Sequence, residues 1–312
     1  MELAKVVAAL ALPVYLLAIV LEIVLARFRV IGVRYEPRDT AMSLTISVGA
    51  GLIGGAFAGL SFAAMQIAYE HRVLTLSMTT VWPWLLLFLL DDLTYYLFHR
   101  ISHERRFWWA AHVNHHSSQH FNFSTALRQP WSGKPIGTWA FWLPLSFLGF
   151  PPEAVAAQMS LNLFYQFWIH TEGVGRLPSW IEAVFNTPSH HRVHHARNAV
   201  YLDRNYGGIL IVWDRLFGTF QRELDEVPCR YGLIANLGTF NVVRVAFHEW
   251  IALAADVARA PQHIIYWLFG PPGWCPDGSR PTTQALKARA LQPVNSLSRG
   301  AEDLRSPPSA SS

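Results

Sequence analysis

The chain has 312 residues, of which 52% are hydrophobic and only 15% charged, with a formal net charge of +4. That composition excludes an ordinary soluble domain and a disordered chain, and a modest positive charge without any nucleic-acid motif points to anionic lipid as the partner surface. The two cysteines, Cys229 and Cys275, form no C-x-x-C pair, which excludes a disulfide framework and a c-type haem.

In chain order, Val6 to Ala26 is about the length needed to span a bilayer. No small-residue cleavage site precedes Arg27, so it reads as a retained anchor rather than a signal peptide. Ala41 to Tyr69 is a second expected span. Its Gly51, Gly55 and Gly59 fall at four-residue intervals, a spacing that lets another helix approach, although plain helix-packing filler would look the same. Thr80 to Phe98 is a third. Ile136 to Phe150 and Glu153 to His170, joined by Pro151 and Pro152, are each marginal for a crossing and together predict a helical hairpin that enters and returns. Thirteen Trp and nineteen Phe suit a protein with two membrane interfaces.

Charge orients the set. Arg27, Arg29, Arg34 and Arg38 follow the first span and place that linker in the cytoplasm by the positive-inside rule. The second span then leaves, the third returns with Arg100, Arg105 and Arg106, and the hairpin goes out and back. Beyond Thr171 the chain is expected to be mostly cytoplasmic. Asn241 to Phe269 has helical periodicity and is stopped by Gly270-Pro271-Pro272-Gly273; a helix lying on the membrane and a cytosolic packing helix both fit it. Ser296 to Ser312, rich in Ser, Pro and charge, reads as a disordered tail. The expectation is an all-α integral membrane protein with four to five transmembrane or hairpin helices and a cytoplasmic helical cap. It divides into transmembrane helices at 1–80, a catalytic domain at 81–225, a C-terminal helical segment at 226–295 and the tail at 296–312.

Eleven of the fourteen histidines lie between His99 and His195. His99 and His103 are four apart and share a helical face. His112, His115 and His116 can do the same, as can His191, His194 and His195. His170 ends the hairpin and can reach the cluster from the membrane side. The charge-based parity puts all the blocks on one face, so they can meet. Imidazole is the commonest protein metal ligand. Eight or nine exceed what one ion holds, so a di-metal site follows, and an all-imidazole pair at a membrane suits iron and dioxygen better than a hydrolytic zinc pair. His190 and His120 are assigned outside the ligand set, His190 as a pocket residue; His71, His248 and His263 are isolated and read as surface or satisfied polar residues. Asp91 and Asp92 lie inside the third span, where an acid is costly and is a functional candidate. Asp92 is expected to orient the imidazoles, with a structural hydrogen-bond role for another helix as the alternative. Glu104 is a candidate for metal or cofactor contact, or an exposed interfacial charge. Asp92, Glu104 and His190 are the candidate catalytic residues.

The run D-D-L-T-Y-Y-L-F-H-R from Asp91, H-R-I-S-H-E through Glu104, H-V-N-H-H-S from His112, F-W-I-H-T-E through Glu172, N-T-P-S-H-H-R-V-H-H from Asn186, N-Y-G-G from Asn205 and W-D-R-L-F-G-T-F from Trp213 resemble the fatty acid hydroxylase, or sterol desaturase, superfamily of integral-membrane non-haem di-iron enzymes, and within it the alkylglycerol monooxygenase-like branch. The resemblance runs from about Trp82 to Phe220. It implies that His99, His103, His112, His115, His116, His191, His194 and His195 hold two irons, with His170 joining them. Some fatty acid 2-hydroxylases have a further histidine at the position of Gln166. Glu104 matches a position implicated in pterin use in that branch, which makes tetrahydropterin the implied reductant. No fused cytochrome b5 domain is expected, so electrons come from an external donor. The implied activity is dioxygen-dependent hydroxylation of a membrane lipid such as a fatty acyl, alkylglycerol or sterol-like molecule. Desaturation uses the same ligands. A membrane zinc hydrolase and a metal transporter are the readings from other classes.

Overall fold

In the computed structural model, residues 2–291 are described, with the backbone alone for 2–10. The expected tail at 296–312 lies outside them. Three long helices lead the chain: α1 (Glu2–Arg27), α2 (Pro37–Glu70) and α3 (Val81–Glu104). Pro37 opens α2 with its φ preset, and the Glu36 carboxylate caps it by accepting from Asp39 N at 2.6 Å. α3 runs unbroken through Asp91 and Asp92 to Glu104, so the third apolar segment and the first histidine block form one helix. Among the described residues, α2 and α3 are long and apolar enough to cross a membrane. α1 covers the first expected span and exposes Leu12, Leu16, Leu17, Val20 and Leu21.

Shorter helices follow: α4 (Arg106–His112), α5 (Phe123–Ala126), α6 (Leu143–Leu148), α7 (Pro152–Trp168), α8 (Ser179–Val184), α9 (Pro188–His195), α10 (Val212–Leu216), α11 (Val242–Arg259), α12 (Ile264–Phe269) and α13 (Thr283–Leu291). Among the described residues β structure is limited to two isolated bridges, Phe185 with Leu210 and Ala196 with Tyr231. The first arm of the expected hairpin, Ile136 to Phe150, is not one helix: a turn leads to a 3-10 stretch at Thr138–Trp142 and then to the six-residue α6, which Pro151-Pro152 joins to α7. The helical stretch expected over Asn241 to Phe269 is two helices, because Pro261 cannot continue α11 and a short 3-10 turn intervenes.

α1 packs against α7, α2 against α6, and α3 against α4 and α7. Met65, Leu87, Trp142, Leu145, Phe150 and Val155 form the largest apolar cluster, where α2, α3, α6 and α7 meet. Gly51, Gly55 and Gly59 do not bring a second helix close: a Cβ at each would meet nothing within 4 Å. The close approach is at Gly49 instead, where a Cβ would collide with the Trp131 ring, whose indole N–H donates to Ile46 O at 2.8 Å.

Buried polar groups tie the layers together. Arg128 pairs with Asp39 at 2.8 Å and Ser118 donates to the same carboxylate at 2.6 Å, which fastens the segment after the second histidine block to α2. Glu22, buried within α1, accepts from Tyr35 Oη, Thr171 Oγ1 and Phe123 N, which fastens α1 to α5 and to the residue after His170.

Candidate metal centre

Nine imidazoles converge in two groups. His99, His103, His112, His116 and His194 form one; His115, His170, His191 and His195 form the other. Within each group one nitrogen per residue lies within 4.8 Å of all the rest. All are buried except His112, which is partly so. His99 and His103 sit one turn apart on α3, as their spacing predicts. In the second block α4 ends at His112, and His115 and His116 lie on a separate 3-10 turn. That break is why His112 and His116 join one group while His115 joins the other. The third block lies on α9, whose turn divides it in the same way, His194 to the first group and His191 and His195 to the second.

The outer nitrogens fix the tautomers. His99 Nδ1 donates to Tyr206 O at 2.9 Å, His170 Nδ1 to Gln166 O at 2.7 Å and His194 Nδ1 to Arg204 O at 3.0 Å. A carbonyl only accepts, so in these three residues Nδ1 carries the proton and Nε2 presents a lone pair. The Nε2 atoms then crowd together. His112 Nε2 faces both His99 Nε2 at 3.1 Å and His116 Nε2 at 3.2 Å. His170 Nε2 faces both His115 Nε2 at 3.2 Å and His191 Nε2 at 2.9 Å. His103, His194 and His195 have a buried Nε2 without a partner. One proton per ring cannot satisfy so many facing acceptors, whereas a cation in each group would. The donor set therefore fits two metal ions.

Burial, with neighbouring imidazoles adding, holds His112, His116, His191, His194 and His195 well below the usual range, and burial brings His170 down to about 4. Burial also lowers His115, with His170 as the next contribution. The rings are neutral at pH 7, which is the ligating form.

The other predicted residues fall elsewhere. Asp92 touches no imidazole of either group. Its Oδ1 accepts from Ile209 N at 2.7 Å and Asn162 Nδ2 at 3.3 Å, and its Oδ2 from Leu210 N at 3.0 Å and Trp213 Nε1 at 2.9 Å. It anchors the 209–213 segment to mid-α3, and its expected orienting role belongs to backbone carbonyls. The neighbouring Asp91 accepts from Trp142 Nε1 and Asn162 Nδ2. Glu104 pairs with Arg100 at 2.9 Å one turn back, outside both groups. His190 is buried in neither group. Its Nδ1 lies 3.3 Å from Thr187 Oγ1, its Nε2 4.0 Å from Glu182, and its ring rests against Phe220. His120 is also in neither group.

The segment from Asp203 to Tyr206 is what sequence reasoning missed. Arg204 O holds His194, Tyr206 O holds His99, and the Asp203 carboxylate lies 3.6 Å from His103 Nδ1. Asp203 and Asn205 adopt positive φ, each just before a residue, Arg204 or Tyr206, whose carbonyl faces the cluster. Asn205 locks the turn through His190 O, Gln221 O and Gln221 N. Buried Asp214 accepts from Tyr206 N at 2.8 Å, Gly207 N at 2.7 Å and Thr219 Oγ1 at 2.6 Å. Trp109 and Phe121 wall the two groups: Trp109 packs on His103 and His116, Phe121 on His170 and His195.

Comparison with known proteins agrees with this geometry. Residues 84–219, which contain every imidazole of both groups, match the model of the fatty acid hydroxylase family. Over that segment the chain resembles the fatty acid hydroxylase family. It is 39% identical over 275 residues to an alkylglycerol monooxygenase of Danio rerio, covering 86% of this chain and 60% of that protein. The alkylglycerol monooxygenase of Homo sapiens is 43% identical over 214 residues, covering 68% of this chain and 47% of the relative. An ornithine lipid hydroxylase of Rhizobium tropici is 29% identical over 133 residues, 40% of this chain and 38% of the relative. This fatty acid hydroxylase relative thus spans about half the length of the curated alkylglycerol monooxygenases it matches. No solved structure matches it.

Proposed function

We propose that this fatty acid hydroxylase relative is a membrane-bound, dioxygen-dependent lipid hydroxylase with a non-haem di-iron centre. The observation that carries the reading is the division of nine imidazoles, all buried except the partly buried His112, into a group of five and a group of four, each compact enough for one ion. The five-imidazole group would hold one iron and the four-imidazole group the other. Bound iron would supply reductive activation of dioxygen and insertion of one oxygen atom into an unactivated C–H bond. The chain's own contribution is positional. The Tyr206, Arg204 and Gln166 carbonyls hold ring tautomers, Trp109 and Phe121 wall the imidazoles, and Asp92, Asn205 and Asp214 hold the 204–213 segment, which presents the first two of those carbonyls.

The substrate class proposed is a membrane lipid with a long alkyl chain, supported by the apolar exposed faces of α1 to α3 and by the similarity to alkylglycerol monooxygenases and an ornithine lipid hydroxylase. Hydroxylation at a carbon next to an ether oxygen would give a hemiacetal, which breaks into an aldehyde and an alcohol. Desaturation on the same ligand set is the second reading. Electrons would come from an external donor, with tetrahydropterin proposed on the resemblance of Glu104. The chain is proposed to cross the membrane several times, with the histidine groups on the cytoplasmic face, because Arg27, Arg29, Arg34 and Arg38 gather between the end of α1 and the first turn of α2 and Arg105 and Arg106 gather after α3.

The test is lipid analysis of cells with and without the chain under isotopically labelled dioxygen. The reading expects a labelled lipid alcohol, or the aldehyde derived from it, only where the chain is present. Oxygen-independent lipid cleavage would favour a hydrolase and remove the oxygenase.

A further inference from the structure

Helices α8 and α10 lie side by side. Ile211 N donates to Val184 O at 3.0 Å, the Arg215 guanidinium donates to Glu182 O at 3.1 Å, and Phe185 bridges to Leu210. Their common outer face is apolar: Trp180, Val184, Phe185, Val212, Leu216 and Phe217 are all exposed, Trp180 by 70% and Leu216 by 68%. Water-facing helices do not gather so many large apolar side chains in one patch.

Contacts to α3 set the depth of this patch. Its inner edge hangs on Asp92 through Ile209 N, Leu210 N and Trp213 Nε1, and its upper edge rests where Phe217 stacks on Tyr96 at 5.3 Å. Asp92 is twelve residues before the end of α3 and eleven after its start. At a rise of 1.5 Å per residue that is about 18 Å from Glu104, the middle of a helix about 36 Å long. A bilayer core is about 30 Å thick. If α3 crosses a membrane, α8 and α10 therefore sit beside its apolar half and not above it. Leu85 and Leu89, which share the Asp92 face of α3 at spacings of seven and three, are exposed and continue the patch toward the opposite end.

We infer that α8 and α10 form a wedge embedded in the acyl-chain region of one leaflet, its outer face covered by lipid tails. The inference rests on the membrane reading of α2 and α3 and goes beyond it, since the chain past Thr171 reads as mostly cytoplasmic by sequence. The backbone of the wedge is compatible with that place: Asp92 satisfies the N–H groups of Ile209 and Leu210, and Val184 O and Glu182 O accept from Ile211 and Arg215. Arg215, the charged residue exposed on it, lies over the Phe220 ring at 3.8 Å, so its stem can run along apolar surface to the headgroups. Both connections from the wedge enter the metal centre directly. Five residues separate Phe185 from His191, and five separate Tyr206 from Val212. A lipid resting on the wedge is thereby held beside the two segments that carry and orient the ligands.

The experiment uses the native full-length chain reconstituted in vesicles of phosphatidylcholine that carries a photoactivated diazirine at the end of one acyl chain, with cross-linked peptides mapped by mass spectrometry. Cross-links in 179–185 and 212–217 within about twofold of those in the exposed parts of α3, together with none in 222–236, are the expected result. Labelled α2 and α3 with unlabelled 179–217 would overturn the wedge while leaving the membrane reading intact. Chain-to-chain cross-links through 179–217 in place of lipid would overturn it in favour of a second copy. Absence of label from α2 and α3 as well would remove the membrane reading itself and the wedge with it.

Discussion

Nδ1 of His99 donates to the carbonyl oxygen of Tyr206 at 2.9 Å, a bond between a helix that can cross a membrane and a loop 107 residues later. It directs the Nε2 lone pair of His99 into the five-imidazole group. The loop holds its carbonyl there because Asp214 accepts from Tyr206 N and Gly207 N. Asp214→Ala would leave those two buried N–H groups without an acceptor and leave the Thr219 hydroxyl with Tyr96 Oη alone, at 3.0 Å. Its expected cost is about 3 kcal/mol of stability, with a metal content below that of the parent chain. Thermal melts and elemental analysis on the same preparation check both; an unchanged metal content would separate the loop from ligand orientation.

The division into two groups predicts separable losses. His194→Ala should deplete the five-imidazole group and His170→Ala the four-imidazole group, each leaving about one ion per chain. Retention of full metal in either variant would remove that residue from the ligand set.

Acid should act through the same rings. Burial holds His170 down at about 4 and six other imidazoles of the two groups well below their usual range. An unfolded chain takes up protons on them near pH 6.5, and the folded chain does not. The stability they contribute is thus complete above about pH 6.5 and is lost as pH falls toward the folded values. Metal release should track that loss, because protons compete for the same nitrogens. Melting temperature of the metal-free chain between pH 7.5 and pH 5 is the measurement; a flat profile would contradict the neutral, buried state.

Much of this was legible in the sequence, for reasons that differ along the chain. Spacings of three and four place side chains on one helical face, so the blocks announced themselves, and α3 and α9 carry them as expected. The 3-10 turn after His112 could not be read, and with it the assignment of His115 and His116 to different groups. Backbone carbonyls have no side-chain signature, so the roles of Tyr206, Arg204 and Gln166 were invisible. The orienting role then fell to Asp92, an acid whose place inside a span was plain but whose partners were not. Glu22 carries the same signal, an acid within an apolar segment.

Glu22 therefore supplies a further test. It joins α1 to Tyr35, Phe123 and Thr171, the last adjacent to His170. Glu22→Ala should lower stability by about 2 kcal/mol, and Glu22→Gln, which keeps one acceptor, by less. Equal melting of the two variants and the parent would show that α1 is held by apolar packing alone.

The most direct test of the proposed di-iron centre is the metal content of the chain purified from iron-supplied cells. About two irons per chain are expected. One zinc and no iron would contradict it.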